Sequence, residues 1–474
     1  MRFIKNWRAF VAATFFCVYA VAASADAADD YIRSFMARSH APGVSLAVVK
    51  DGKVVKAASY GYANLEWQVA ATPTTLFWLD SLTKLFTAVG VLELAEQHKL
   101  TLDDPLSKFL PDTPPAWKEV TLRHLLSYTS GIKDDYWQKY QGSYLVDYDD
   151  KDIYAYAAKQ PLVAAPGSQY AYNNESYYLL GVVIAHVTGV PYTRWITEHV
   201  LKPAGMKTAV MYNPWSVVPQ MASSYTMKDG QLVHNRADIA SDRGEAISSW
   251  GLYASLDDMI AFDLALHSGK LIAPADVALL LQNVRLSTGA VSASGLAFDQ
   301  VMFVRGRRLA YKSGAAGVKY TTWPDDGITV ILLTNMDCHD SGWIAWYQPG
   351  DIARLFDPRI QSMSTLSLHR DPDPARTQRI LQASRDVANG VSPSPFLNPA
   401  FDAGITPEIR AGAKAHLPAV EHMRFLACDP VSSADPSRAV RYCHYRVAAG
   451  DGAVDLSFGL DRADRLTAVQ AQME

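Results

Sequence analysis

The amino-acid sequence predicts a mixed α/β fold of the α+β type, in which strands from both ends of a large domain share one antiparallel sheet. Residues 43–66 have the pattern of two strands around an Asp51-Gly52 turn, which is a strong hairpin signal. Strand character returns at residues 307–335, around a turn at 324–327. Residues 81–281 are mostly helical in pattern, so we expect a large helical subdomain to cover the sheet.

A second, smaller unit is predicted after a change of composition at "HRDPDPARTQ", near Asp371. Two helix patterns follow, and the second opens with Thr406 as N-cap and Pro407 at the first helical position. Three or four strands come next, and in residues 454–460 the apolar side chains alternate. We therefore predict a large domain at 30–365 and a small α+β accessory domain at 371–474.

The first 25 residues have the pattern of a secretory signal peptide. Three basic residues precede an apolar run, and an A-x-A cleavage site follows it at residues 23–25. The alternative is a membrane anchor, which the shortness of the apolar run disfavours. We expect a periplasmic or secreted protein with no stable membrane anchor once the signal is removed.

Charge and composition exclude several classes of function. The 474 residues carry 44 Lys and Arg against 48 Asp and Glu, a formal charge of −4 without long basic runs. Nucleic-acid binding usually leaves a basic patch, so no nucleic-acid partner is expected. No Cys/His spacing is typical of a zinc site, so the sequence predicts neither a metal nor a cofactor.

The cysteines leave two alternatives open. Cys428 and Cys443 flank a predicted hairpin, and an exported chain can keep a disulfide between them. Such a bridge would close a loop of about 16 residues and contribute about 3 kcal/mol. Otherwise Cys338, Cys428 and Cys443 are free thiols.

The stretch "LDSLTKLFTA" carries a candidate nucleophile. Apolar residues at helical spacing follow it, with Asp80 as the predicted N-cap, so Ser81 lies in the first helical turn with Lys84 one turn on. A serine hydroxyl becomes nucleophilic when a neighbouring base takes its proton. Lys84 can serve if burial and other cations disfavour its ammonium form. A second S-x-x-K, at 130–133, lies in a predicted loop and is interpreted as coincidence.

Two further triplets follow in order along the chain. Tyr172-x-Asn174 precedes an apolar helix, and Lys312-Ser313-Gly314 follows a predicted strand. Similar triplets at 62–64 and 267–269 have ordinary structural explanations, a hairpin strand and a glycine helix stop.

Together, the three motifs resemble those of the serine β-lactamase and penicillin-binding protein superfamily. The resemblance is nearest to class C β-lactamases and the related D-alanyl-D-alanine peptidases and esterases. The stretches "PGVSLAVVKDGKVV", "TLRHLLSYTSGI" and "PAGMKTAV" agree with it, and it covers about residues 31–335.

The resemblance implies a catalytic group of four side chains. Ser81 would be acylated, and Lys84 would help to deprotonate it. Tyr172 would be the general base, which requires its pKa to fall by about 3 units from about 10. Lys84 and Lys312 are the predicted cause of that shift.

The remaining predicted site residues bind substrate. By the same resemblance, Asn174 would position the substrate amide, and the strand with Ser313 and Gly314 would pair with the substrate backbone. Lys312 would steer a substrate carboxylate. The backbone N–H groups of Ser81 and Ala315 would form the oxyanion hole.

The family pattern leaves the substrate open. The K-S-G triplet keeps a cation and a hydroxyl, which favours β-lactams or D-Ala peptides, including peptidoglycan fragments, over neutral esters. The alternatives are a carboxylesterase, a penicillin-binding protein that β-lactams inhibit, and a silent binding scaffold. Tyr128 stands where the family often has histidine. Trp250 either narrows the pocket or belongs to the core, and His124 is predicted to be structural.

Overall fold

The computed structural model describes residues 27–110, 112–134, 150–213, 216–235, 245–289, 291–292, 294–304, 307–337, 349–360, 367–405, 407–430, 439–449 and 452–473. The predicted signal peptide, Cys338 and Thr406 lie outside these residues. What the sequence predicts for them stays a prediction.

The strands predicted at residues 43–66, at 307–335 and near the C-terminus are present. The bounds of the strands are β1 Gly43–Lys50, β2 Lys53–Asn64, β3 Val69–Ala70, β4 Phe77–Trp78, β5 Val210–Met211, β6 Tyr225–Lys228, β7 Gln231–His234, β8 Leu252–Ala254, β9 Gln300–Val304, β10 Arg307–Gly314, β11 Val318–Trp323, β12 Ile328–Thr334, β13 Arg424–Pro430, β14 Arg441–Ala449, β15 Gly452–Leu460 and β16 Leu466–Met473. Strands β5 to β8 are not predicted, and they lie in the region 81–281 that the sequence predicts to be mostly helical.

The largest sheet joins the two ends of the large domain, as the sequence predicts. Its strand order is β3-β2-β1-β12-β11-β10-β9. Strands β1 and β12 pair antiparallel, with Val44 opposite Thr334 and Lys50 opposite Ile328. Smaller sheets join β4, β8 and β5, and β6 with β7.

The helices lie at α1 27–39, α2 Thr83–Glu96, α3 Leu122–Leu126, α4 Asp150–Ala157, α5 Asn174–Thr188, α6 Tyr192–Ile196, α7 Lys202–Ala204, α8 Leu256–His267, α9 Pro274–Leu280, α10 Pro349–Phe356, α11 Pro374–Asn389, α12 Pro399–Ala403 and α13 Pro407–Val420. Short 3-10 turns occur at Asp80–Leu82, Leu106–Lys108, Pro115–Trp117 and Glu245–Ser249, and a π turn at Thr197–Leu201.

Both faces of the large sheet are covered, which the sequence predicts for only one of them. Ile331 and Leu333 of β12 lie in the core cluster that contains the buried residues of α2 and α5. Val330 and Leu332 lie in a second cluster with α1 and α10. Side chains alternate between the faces of a strand, so β12 contributes to both layers.

Helix α2 is buried on nearly all sides. The sequence pattern indicates one apolar face, yet every residue from Thr83 to Leu92 is buried. A helix that is apolar all round is expected at the centre of a large protein. Its central position places the start of α2 in the interior of the large domain.

A separate four-stranded sheet, in the order β13-β14-β15-β16, lies near the C-terminus with its own hydrophobic cluster. Cys428 of β13 is opposite Cys443 of β14, and the two form a disulfide. Of the two alternatives for these cysteines, the structure contains the bridge. The division into domains at 365–371 stays a prediction.

Candidate active site

Ser81 lies in a tight turn that leads into α2. The residues Asp80–Leu82 form a 3-10 turn, and α2 begins at Thr83. Asp80 has φ +46°, a left-handed conformation that is uncommon for a residue other than glycine. Such strained backbone is frequently found at functional sites, where the surrounding structure holds it in place.

The prediction that Asp80 caps the helix is wrong. The N-cap positions are Leu79 for the turn and Leu82 for α2, and neither makes a side-chain capping hydrogen bond. Strand β8 anchors the segment instead. Leu79 N donates to Leu252 O at 2.8 Å, and Leu252 N donates to Thr83 Oγ1 at 3.1 Å. The helix start is buried against a neighbouring strand, a contact that local sequence does not reveal.

Lys84 is fully buried beside Ser81. Its Nζ lies 3.2 Å from Ser81 Oγ, 2.8 Å from Asn174 Oδ1 and 2.9 Å from Ser249 O. The S-x-x-K spacing therefore brings the amine and the hydroxyl into hydrogen-bonding contact, as the sequence predicts.

Burial and, to a smaller extent, the positive charge of Lys312 lower the pKa of Lys84 from 10.5 to about 7, against the opposing effect of nearby carboxylates. A substantial fraction of Lys84 is thus uncharged near neutral pH. A neutral amine has two N–H groups, which suffice for Asn174 Oδ1 and Ser249 O. Its lone pair is then available to the Ser81 hydroxyl.

Asn174 is the first residue of α5, and Asn173 is the N-cap, accepting a hydrogen bond from Ser176 N at 2.6 Å. The Asn174 amide has a partner at each end. Its Oδ1 accepts from Lys84, and its Nδ2 donates to Asp134 Oδ2 at 3.1 Å. In this structure, Asn174 positions Lys84.

Asp134 is a site residue that the sequence did not identify. Besides the Asn174 amide, its carboxylate accepts Asn174 N at 2.9 Å, at the start of α5. It directly follows the second S-x-x-K stretch, which is a loop as predicted. The sequence shows only that an acidic residue follows that stretch. Nothing in the local pattern indicates that its partner lies about 40 residues further along the chain.

Tyr172 lies between the two lysines. The Ser81 side chain lies close enough to its hydroxyl to favour a lower pKa of Tyr172. The Nζ atoms of Lys84 and Lys312 lie 5.0 and 4.9 Å from its ring centroid. The ring of Tyr128 stacks on it, with centroids 4.9 Å apart. The predicted convergence of two lysines on this tyrosine is therefore present.

The predicted fall in the pKa of Tyr172 is wrong. Burial of the hydroxyl raises that pKa well above 10, and the negative charge of Asp299 raises it further. The residue keeps 37% of its surface exposed, so the burial applies to its inward-pointing hydroxyl. Lys312, which pairs with Asp299, does not reverse the direction of this shift. Tyr172 is therefore a proton donor.

Asp299 is a second site residue that the sequence missed. It pairs with the fully buried amine of Lys312. The same carboxylate accepts Ser313 N at 2.8 Å and Ser313 Oγ at 2.7 Å. The register of the β9–β10 hairpin places Tyr311 opposite Gln300. A correct sequence-based register would therefore have placed Asp299 opposite Lys312.

Gly314 brings the end of β10 against the nucleophile turn. A Cβ at this position would lie 2.2 Å from Leu79 O and 3.2 Å from Asp80 Cβ. Only glycine permits this approach without a shift of the backbone. Ala315 follows directly, at the turn between β10 and β11.

The other residues that the sequence singled out are structural. Trp250 belongs to the core, and its ring meets Trp78 edge to face at 6.0 Å. His124 Nδ1 accepts Thr121 N at 3.2 Å and closes the capping box of α3. Of the two interpretations for Trp250, burial in the core agrees with the structure.

The described ranges contain neither a metal-binding cluster nor a membrane-spanning helix. Within those ranges, no three or more His, Cys, Asp and Glu side chains are grouped so as to hold a metal ion. Nor does any helix there combine the length and apolar character needed to cross a bilayer.

A serine and a buried lysine at the start of a central helix, in a fold of this kind, are typical of the serine hydrolases that use a serine–lysine pair. The family model described as Beta-lactamase matches residues 28–340. The chain therefore belongs to the beta-lactamase family, as the three motifs predict.

The similar proteins include penicillin-binding relatives. PbpX of Bacillus subtilis strain 168, which its name assigns to the penicillin-binding proteins, is 33% identical over 226 residues, or 47% of this chain and 54% of that protein. Protein flp of Staphylococcus aureus strain MW2 is 35% identical over 185 residues, or 38% of this chain and 36% of that protein. The chain spans about half or less of the length of these curated relatives.

Solved structures share the fold. An octameric penicillin-binding protein homologue from Pyrococcus abyssi aligns with a TM-score of 0.59 at 21% identity, covering 94% of this chain and 97% of that one. EstCE1, described as a hydrolase with promiscuous acyltransferase activity, aligns with a TM-score of 0.57 at 22% identity, covering 68% and 93%.

Proposed function

We propose that this protein is an exported serine hydrolase that cleaves amide or ester bonds through an acyl-enzyme on Ser81. The observation that carries the proposal is the contact between Ser81 Oγ and the fully buried Lys84 Nζ. With a pKa of about 7, Lys84 can accept a proton at neutral pH. Efficient general bases have pKa values near the working pH.

Acylation then follows from the positions of the side chains. Lys84 takes the Ser81 proton while Oγ attacks the substrate carbonyl, and the backbone N–H groups of Ser81 and Ala315 stabilise the oxyanion. The raised pKa of Tyr172 keeps its hydroxyl protonated. Tyr172 donates this proton to the leaving group as the bond breaks, and Lys84 returns its own proton to Tyr172. This exchanges the base role predicted for Tyr172 with that of Lys84.

Deacylation repeats these steps with water in place of Ser81. Neutral Lys84, held by Asn174 and Ser249, accepts a proton from the water as it attacks the acyl carbonyl. The proton then passes to Ser81 Oγ as the ester bond breaks. The rate of this step separates a hydrolase from a penicillin-binding protein that remains acylated.

The acyl donors to compare are β-lactams and D-Ala peptides, which the sequence motifs favour, and small carboxylic esters. The engagement of Lys312 and Ser313 by Asp299 favours the ester alternative, because both groups predicted to bind a substrate carboxylate already have one. Export to the periplasm or beyond is part of the proposal. Peptidoglycan fragments, whose D-Ala leaving group carries a carboxylate, are the alternative substrates, which the pairing of Asp299 with Lys312 disfavours.

Intact-protein mass spectrometry tests the proposal. The purified chain and Ser81→Ala are mixed with a penicillin, a chromogenic cephalosporin and a short-chain p-nitrophenyl ester, and both adduct mass and product are followed. We expect a transient adduct and turnover that depend on Ser81. A persistent penicillin adduct without turnover would identify a penicillin-binding protein. If no donor gives an adduct or a Ser81-dependent product, the serine hydrolase proposal fails.

A further inference from the structure

The predicted carboxylate-binding groups of the site already hold an internal carboxylate. Lys312 has no exposed side-chain surface and pairs with Asp299, whose side chain is 18% exposed. The Ser313 hydroxyl donates to the same carboxylate at 2.7 Å, and the Ser313 backbone N–H at 2.8 Å. The Asp299 carboxylate is thus bound by one cation and by two neutral hydrogen-bond donors.

The surroundings of Lys312 leave little room for a second anion. Its Nζ lies 4.9 Å from the ring centroid of Tyr172 and 5.8 Å from that of Tyr128. Two aromatic rings and the Asp299 carboxylate thus surround the buried ammonium. A substrate carboxylate would have to displace Asp299 and leave that aspartate without its partner, which is costly for a charge that is mostly buried.

The charges around Lys84 are also unfavourable for binding a substrate carboxylate. Asp80, Asp134 and Asp299 all lie close enough to Lys84 to favour its charged form, and Lys312 opposes them. Among these five groups, three carboxylates accompany two lysines, and Lys84 is partly neutral. This set of groups therefore carries no net positive charge.

We propose that Asp299 determines charge specificity as a fixed internal anion, so that the enzyme accepts acyl donors with neutral or cationic leaving groups and rejects those whose leaving group carries a carboxylate. This rests on the proposed hydrolase function. The leaving group is the relevant side because Tyr172, which lies beside Lys84, would protonate it. The ring of Tyr172 in turn lies beside Lys312.

Three thioesters with one acyl group test the specificity. A hippuryl group is attached to thioglycolate, to thioglycolamide or to thiocholine, so that the leaving group is anionic, neutral or cationic. The full-length protein, Asp299→Asn and Asp325→Asn are compared by the loss of thioester absorbance. Asp325 is the matched control, since it lies in an exposed turn and pairs with Arg308.

We expect the unmodified protein to cleave thiocholine and thioglycolamide thioesters with kcat/KM about tenfold or more above that for the thioglycolate thioester, a ratio equal to about 1.4 kcal/mol. Asp299→Asn should reduce this ratio about tenfold, and Asp325→Asn should leave it unchanged. A thioglycolate thioester cleaved as well as the amide by the unmodified protein would overturn the proposal. That arm does not depend on the variant folding.

Binding separates this proposal from the hydrolase function. If no thioester gives Ser81-dependent cleavage, charge specificity is decided on Ser81→Ala by calorimetry, and the hydrolase function is decided separately by the mass-spectrometry experiment. If Asp299 acts as proposed, Ser81→Ala should bind the thioglycolamide thioester about tenfold more tightly than the thioglycolate thioester. Equal affinities would contradict the role of Asp299, and a clear preference would support it without catalysis.

Discussion

At the scale of single residues, the decisive feature is a lysine without exposed surface. Lys84 is fully buried next to Ser81, and its three hydrogen-bond acceptors are all neutral oxygens. Desolvation without a directly bonded carboxylate disfavours the ammonium form. The pKa of about 7 follows from this arrangement, and it makes the catalytic rate sensitive to pH.

We expect kcat/KM for a neutral ester to rise with pH through a limb near 7, because only neutral Lys84 accepts the Ser81 proton. Lys84→Met should remove the limb and lower kcat/KM by about 10²- to 10⁴-fold. In Lys312→Met the limb should move to higher pH, since the cation that lowers the pKa of Lys84 is lost while Asp299 remains. Rates measured from about pH 5 to 9 check this.

The matched control for the pH profile is Lys118→Met, which removes an exposed lysine. Its limb should coincide with that of the unmodified protein. A profile that stays flat through pH 7 in the unmodified protein would show that Lys84 is not the base.

At the scale of elements, the site depends on how strand β10 meets the start of α2. Strand β10 carries Lys312 and Ser313, and its last residue, Gly314, contacts the backbone of Leu79. Leu79 is in turn hydrogen-bonded to strand β8. The nucleophile turn is thus held between two strands, and its position depends on close backbone packing.

Gly314→Ala should reduce kcat/KM by about 10²-fold, because displacement of a catalytic group by about 1 Å has that effect. Its added Cβ would lie 2.2 Å from Leu79 O and 2.9 Å from Val318 Cγ2, so the strand has to shift. The melting temperature should fall as well. Steady-state kinetics and calorimetry measure both quantities.

Gly412→Ala provides the comparison for this substitution. Gly412 lies in helix α13, and an added Cβ there meets nothing within 4 Å. Alanine is favoured over glycine in a helix by about 1 kcal/mol, so this variant should be slightly more stable and equally active. If Gly314→Ala matched it in activity, the packing argument would fail.

At the scale of the whole molecule, the two largest sheets pack against separate hydrophobic clusters. The large sheet joins residues nearly 300 positions apart, as in the pairing of Val44 with Thr334. The C-terminal sheet is built from consecutive strands and is crosslinked by Cys428 and Cys443. A crosslink of this kind stabilises mainly by restricting the unfolded chain.

Reduction of the disulfide should lower the unfolding free energy of the C-terminal unit by about 3 kcal/mol, while Ser81-dependent kcat/KM stays unchanged. Thermal unfolding with and without a reductant measures the effect. A Cys428→Ala/Cys443→Ala double variant should no longer respond to the reductant. Identical unfolding of the native protein in both buffers would contradict the stabilising role.

The sequence by itself determined the features that depend on neighbouring residues. The Asp51-Gly52 hairpin, the S-x-x-K spacing that sets Lys84 beside Ser81, and the strand that carries Lys312 all follow from local pattern, and the structure contains them. The order of the three motifs also identified the family, because each motif stands in its expected local context.

Only the tertiary structure decided the electrostatics of the site. The pairing of Asp299 with Lys312 and the support of Asn174 by Asp134 join segments whose meeting depends on packing. The direction of the Tyr172 pKa shift depends first on burial of its hydroxyl and then on the negative charge of Asp299. Local pattern specifies which charges are present, whereas burial and distant partners determine their effect.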